Sequence, residues 1–246
     1  MQLNIEILQA EYRDIESMRE LYRHEAHCQI VHDSALSRRI AHPYMIHLNG
    51  RIAGYAGVWN KYYPKRIMEF YTLPHVRQYA LPMFRKILTV SRATHIEAQT
   101  NIPLILNMLY DCGTNIIEEK ILFEDGFTTK LNCPAGVLRQ SKPGDHRGAG
   151  EWVVDVNGTI VGTGGVLYHY NPPYGDIYVE VSETERRKGF GSYLVQELKQ
   201  IAYEAGKIPA ARCDPSNVSS RLTLEKAGFL PCGYLLAGEV RNPETK

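Results

Sequence analysis

The chain has no excess charge of either sign, no long apolar run and no paired-cysteine motif, and each absence removes a class of function. Its 28 Lys and Arg against 27 Asp and Glu leave a formal net charge of +1 over 246 residues. Proteins that hold nucleic-acid phosphates without regard to sequence carry a basic excess, so nucleic acid is not expected as a partner. No stretch reaches the ~20 apolar residues of a membrane span. The opening MQLNIEILQAEYRDIESMRE meets acidic residues early and holds no apolar segment of secretory length, so no membrane is expected either. Cys28, Cys112, Cys133, Cys213 and Cys232 are odd in number and scattered, with no CxxC spacing. They fit reduced thiols in the cytoplasm. His24, His27, Cys28 and His32 lie close together but match no standard zinc spacing, and no metal is expected. Two phosphate fingerprints are also missing: a GxxxxGK[ST] loop, and a GxGxxG turn with an acidic residue about twenty positions on.

What is present is an ordinary globular composition, 44% hydrophobic and 22% charged, and an internal repeat. The run Asn49-Gly50-Arg51-Ile52-Ala53-Gly54-Tyr55-Ala56-Gly57-Val58 returns 108 positions later as Asn157-Gly158-Thr159-Ile160-Val161-Gly162-Thr163-Gly164-Gly165-Val166. Asn-Gly between apolar stretches is the strongest short hairpin signal, so each copy predicts a hairpin. Two related halves follow, residues 1–139 and 151–246, joined by the polar, Gly/Pro-rich stretch 140–150. In the first half, Ile5 to Leu8 reads as a strand, and Asp14 is a candidate cap for a helix burying Ile15, Met18, Tyr22 and Ala26. The second half has no counterpart of that helix. After its hairpin it predicts a strand at 176–181, then a helix with Leu194, Leu198, Ile201, Ala202 and Ala205 on one face, ending at Gly206. A strand at 209–213, a helix at 218–226 and a strand at 234–240 complete it. Alternating strands and helices indicate a layered α/β fold.

Between the strand at 176–181 and the periodic helix lies Arg186-Arg187-Lys188-Gly189-Phe190-Gly191-Ser192. A Gly-rich turn at a helix N-terminus gathers unpaired backbone N–H groups and the positive end of the helix dipole, which suits a phosphate. Arg186, Gly189 and Gly191 form R-x-x-G-x-G. One helix and one strand later comes Asn217-Val218-Ser219-Ser220, leading into Lys226-Ala227-Gly228-Phe229.

The two motifs together resemble the pyrophosphate and second signatures of the GNAT superfamily of N-acetyltransferases, over about residues 151–240. The resemblance implies tandem GNAT-like mixed sheets with flanking helices, the second copy lacking the first helix, and acetyl-CoA as cofactor. It implies two splayed parallel strands, here 176–181 and 209–213, with pantetheine in the gap. Backbone at Val179, Val181 and Ser182 would meet the acetyl and pantetheine end, and Arg186, Arg187, Lys188, Gly189, Phe190, Gly191 and Ser192 would cradle the pyrophosphate. Asn217, with Ser220, would contact the pantetheine arm. The implied reaction is direct attack of an amine on the thioester. Period-two alternation puts Asp176, Tyr178 and Glu180 on one strand face, the face that carries catalytic carboxylates in many members. Glu180 and Asp176 are therefore candidate bases and Tyr178 a candidate positioning group. The pattern breaks at Leu224, where many members carry a tyrosine that protonates the thiolate.

At the repeat offset the first half has Gln78, Leu81 and Met83 in place of Arg186, Gly189 and Gly191, and Pro82 removes a further amide donor. It reads as a degenerate copy, with Asp111 and Glu124-Asp125-Gly126-Phe127 as a faint echo of the second signature. The aromatic run Tyr168 to Tyr174 sits where loop packing and acceptor recognition are both open readings. Three functions remain: an acyl-CoA-dependent N-acyltransferase acting on a small-molecule or protein amine, a catalytically weak CoA-binding or sensory module, and a non-catalytic interaction protein.

Overall fold

Both Asn-Gly pairs make the hairpins that their sequence predicts. Asn49 and Gly50 have φ of 51° and 77°, Asn157 and Gly158 51° and 86°, the left-handed pair that matches the twist of two antiparallel strands. They join β2 (Ala41–Leu48) to β3 (Arg51–Trp59) and β8 (Trp152–Val156) to β9 (Thr159–Leu167). Each hairpin carries a register shift, between Ile46 and His47 in one and between Val154 and Asp155 in the other. The repeat therefore extends to the position of the bulge. These features come from a computed structural model that describes residues 3–26, 32–133, 135–145 and 150–241.

The chain divides into two compact units, residues 1–120 with 233–246, and residues 121–232. In the first, β1 (Ile5–Gln9), β2, β3 and β4 (Arg66–Thr72) pair antiparallel in that order, and β5 (His95–Gln99) pairs parallel to β4. The far side of β5 pairs with residues 235–239 of β12 (Phe229–Val240). Helices α1 (Tyr12–Glu25) and α2 (His32–Ser37) follow β1, α3 (Ala80–Ser91) links β4 to β5, and α4 (Pro103–Cys112) follows β5. Ile15, Met18, Tyr22 and Ala26 are buried as the helical spacing predicts. The N-cap is Glu11, not Asp14. Asp14 stands three residues in and accepts a hydrogen bond from the Glu11 N–H at 2.9 Å.

The second unit repeats the plan. Its strands run β7 (Val137–Gln140), β8, β9, β10 (Tyr174–Val181), β11 (Ile208–Cys213), then residues 121–124 of β6 (Gly113–Asp125). All pairs are antiparallel except β10 with β11. Helix α5 (Phe190–Glu204) packs on β9 and β10 with Leu194, Val195 and Leu198 fully buried, and α6 (Val218–Lys226) follows β11. No helix stands between β7 and β8 among the described residues, in contrast to α1 and α2.

The expected boundary at 140–150 differs from this division. Gln140 pairs with Trp152, and residues 121–232 belong to one unit, so both ends of the stretch lie inside the second unit. Chain order and unit membership also part company at two strands: β6 ends in the second unit, and β12 ends in the first. The counterpart of Ala227-Gly228 is Cys112-Gly113, where α4 passes into β6, rather than the Asp125-Gly126-Phe127 echo at the end of that strand. Among the described residues no helix is long and apolar enough to cross a membrane, and no group of three His, Cys, Asp or Glu is placed to hold a metal. His27 and Cys28 lie outside the described residues; His32 turns inward to Glu69 and Glu97.

Candidate cofactor cleft and acceptor face

β10 and β11 pair only over Tyr174–Asp176 and Ile208–Ala210. Beyond Asp176 the strands continue unpaired with each other, so a gap opens between them. Which backbone groups face it follows from alternation along the strand. The Ser182 N–H donates to the Val161 carbonyl on the β9 side at 3.0 Å. Residues an odd number of positions away direct their backbone groups to the other side, and these are Val181 and Val179. Ser182 is occupied, its carbonyl accepting from the Glu185 N–H at 2.8 Å.

The turn after β10 is built for close approach. Gly189 is the N-cap of α5 at φ +94°, and a Cβ there would project into open space with nothing within 4 Å. The N–H groups of Phe190, Gly191 and Ser192 begin the helix without intrahelical acceptors, the first closing bond being Tyr193 N–H to the Gly189 carbonyl at 3.1 Å. In front of them lies a cleft of about 310 Å³. Val181, Glu185, Arg186, Arg187, Gly189, Gly191 and Ser192 line one wall; Ser219, Leu222, Thr223 and Lys226 line the other.

Three cations, Arg186, Arg187 and Lys226, therefore face a row of free amide donors. A pyrophosphate fits this donor set. Arg186 is held to the strand end by its Nε, which donates to the Val181 carbonyl at 3.3 Å, while Lys188 is tied to Glu185 at 2.9 Å. Phe190 is buried in the core.

Asn217 and Ser220 do not line the cleft wall; the Asn217 side-chain oxygen accepts from the Ser220 N–H at 3.0 Å and caps α6. The four cleft residues of α6, at 219, 222, 223 and 226, share one helix face at i, i+3, i+4 and i+7, but so does any such set along a helix, and their mixed chemistry did not mark that face in the sequence. Leu224 lies on the opposite, buried side at 4% exposure.

On the other face of β10 the three candidate side chains have different surroundings. Asp176 stands at the closed vertex of the gap, ion-paired with Arg212 of β11 at 2.9 Å. Burial pushes its carboxyl above the usual range, and Arg212 opposes that shift. Arg212 also stacks near the Tyr170 ring, 5.7 Å from its centroid. Tyr178 is 43% exposed, and Glu180 is exposed with no ion pair among the described residues.

The first unit opens in the same way: β4 and β5 pair only at Arg66–Ile67 and His95–Ile96. Its gap holds charge of its own instead. Glu69 and Glu97 point to one face, and His32 spans them at 3.4 and 2.9 Å. Arg19, fully buried, pairs with Glu69, and Tyr55 donates to the same carboxylate at 2.5 Å. A 3-10 turn at Pro74–Tyr79 stands where the glycine turn would be, and Arg77 within it is engaged by Glu25 at 2.6 Å. No anion cradle forms there among the described residues.

Residues 120–229 match the model of the Acetyltransferase (GNAT) family. Over this stretch the chain is similar to a GNAT acetyltransferase domain. The whole chain is similar in fold to an acetyltransferase from the GNAT family from Colwellia psychrerythraea, with a TM-score of 0.76 at 12% identity over 96% of this chain and 100% of that one. It is also similar to a tandem GNAT protein from the clavulanic acid biosynthesis pathway, with a TM-score of 0.65 at 12% identity over 98% and 100%. A GCN5-related N-acetyltransferase from Sphaerobacter thermophilus gives 0.62 at 15% identity over 97% and 96%. No curated protein sequence matches. The chain thus shares its fold with tandem GNAT structures, its second unit has no counterpart of α1 among the described residues, and the glycine turn and cleft lie inside the matched stretch.

Proposed function

We propose that the chain is an acyl-CoA-dependent N-acyltransferase that moves an acetyl group from acetyl-CoA to an amine, with the second GNAT unit as its working half. The observation that carries this reading is the coincidence of the opened strand pair with the cationic, glycine-bordered start of α5. When bound, acetyl-CoA supplies a thioester whose carbonyl carbon the amine attacks, forming the C–N bond as the C–S bond breaks and thiolate leaves. The first turn of α5, with Arg186, Arg187 and Lys226, holds the phosphates. The backbone of Val179 and the N–H of Val181 line the gap where a pantetheine arm would run, the Val181 carbonyl being engaged by Arg186.

The attacking amine must lose a proton. Of the two candidate carboxylates, Asp176 is locked to Arg212 and Glu180 stands free, so Glu180 takes that proton, directly or through water. Amine-dependent release of CoA, measured over a broad amine panel, tests the assignment. Glu180→Gln is expected to lower turnover about 100-fold or more, as loss of a general base typically does, with acetyl-CoA affinity unchanged. Native turnover in that variant would remove Glu180 from the mechanism.

Leu224 favours a second reading, a CoA-binding module with little transfer, because no phenol occupies that position. Tight acetyl-CoA binding with no release for any amine would select it.

A further inference from the structure

The Tyr178 ring does not stand off the sheet. It leans across onto the neighbouring strand, over Gly165, its cross-strand partner on β9. A Cβ at position 165 would fall 2.7 Å from the Tyr178 hydroxyl oxygen and 3.0 Å from Cε1 and Cζ. The far end of the ring therefore lies where any other residue's side chain would begin. Its opposite side is open, with Tyr178 43% exposed, on the stretch of β10 that has parted from β11. Among the described residues no cation lies over this ring. Arg212 is turned to Asp176 and Tyr170 instead. Glu180 follows on the same strand face, roughly 6.6 Å further along at the rise of a strand.

We infer that Tyr178, laid on Gly165, is a shelf for the protonated amine of the acceptor, with Gly165 as its positioning residue. The inference rests on the proposed transferase reading and deepens it. An aromatic face attracts an ammonium through the ring quadrupole, and the carboxylate of Glu180 beside it completes a site for a cation and then receives the proton. The acceptor class is a primary or secondary amine that arrives charged. Any Cβ at position 165 would displace the hydroxyl end of the ring and tilt the shelf, at a position that does not line the cofactor cleft. The ring, and not the hydroxyl, does the binding.

Two measurements on the full chain test this. In the first, choline and its neutral isostere 3,3-dimethylbutan-1-ol are titrated while the ring signals of labelled tyrosine are followed, with Tyr178 assigned by its disappearance in Tyr178→Phe. Choline is expected to shift the Tyr178 signal and the neutral isostere to leave it in place; equal response to both, or to neither, overturns the inference. In the second, KM for the best amine of the panel is compared across variants. Tyr178→Leu is expected to raise it roughly three- to thirtyfold, the span of exposed to desolvated cation–π contacts, with the KM for acetyl-CoA unchanged. Tyr178→Phe should stay within about twofold of the native amine KM by the same argument, and Gly165→Ala should raise it in the same direction as Tyr178→Leu. A Phe variant as impaired as the Leu variant would assign the effect to the hydroxyl and end the proposal. If Gly165→Ala does not fold, the Leu and Phe pair still decides. If no amine is acetylated, the transferase reading falls and the choline titration still judges the shelf.

Discussion

His32 is enclosed by Glu69 and Glu97 with almost no solvent contact. Burial alone would lower its pKa, but hydrogen bonds and attraction from the two carboxylates outweigh that and raise it to about 9. Glu69 shows the converse: burial would raise it, and Arg19, His32 and Tyr55 together hold it down to about 2. Both shifts favour the charged forms in the folded state, so both contribute stability with opposite pH limits. The His32 contribution is complete below its unfolded value of 6.5 and disappears as pH rises through 9; it is on the order of 3 kcal/mol. The Glu69 contribution is present above its unfolded value of 4.5 and is lost as pH falls toward 2. Denaturant unfolding of the native chain between pH 6 and 10 is therefore expected to show stability falling across 6.5 to 9, and a His32→Gln variant should not show that fall. A native profile that is flat or rising over this window would refute the network as described. None of this was legible in the sequence. Arg19 and Glu69 are 50 residues apart and His32 and Glu97 65, and nothing local marks a pair at such separations. The residues of the glycine turn were legible because their chemistry is consecutive.

At the scale of elements, local signals predicted what local forces build. The Asn-Gly pairs set both hairpins, the spacing of Leu194, Leu198 and Ala202 set α5, and α6 occupies the predicted Val218–Lys226. What the spacing within α6 did not settle was which side faces the ligand. Asn217 reads as a contact by resemblance, yet its side chain caps the helix, and the cleft is lined by Ser219, Leu222, Thr223 and Lys226. The same rotation explains Leu224. Its side chain is in the core, so restoring a family-like tyrosine at that position does not by itself present a phenol to the cleft. Leu224→Tyr is expected to destabilise the protein by about 1–3 kcal/mol, the usual cost of overpacking, and to give no gain in turnover. Denaturation midpoints and CoA-release rates check both parts; a variant of native stability with faster turnover would show that the backbone turns to accept the ring.

Across the whole chain, the sequence repeat and the compact units do not share a boundary. Repeat logic places the division near 140–150, whereas the units exchange their last strands: β6 leaves the first repeat to pair with β11, and β12 leaves the second to pair with β5. Such pairings are non-local and carry no composition signal, so a linker-like run of Gly, Pro and polar residues was the available cue, and both its ends lie inside the second unit. The asymmetry between the halves was legible, because Gln78, Leu81, Pro82 and Met83 cannot make the turn that Arg186, Gly189 and Gly191 make. The structure adds that the first gap is occupied by its own ion pairs. One cofactor per chain, seated at the start of α5, is the central claim. Calorimetric titration of acetyl-CoA into the full chain, and into Gly189→Val after its fold is verified by circular dichroism, tests it most directly. One site per native chain and no measurable binding in the variant are expected, since a branched side chain at φ +94° strains the turn and projects into the open space there. Two sites of comparable affinity, or native affinity in a folded Gly189→Val, would contradict it.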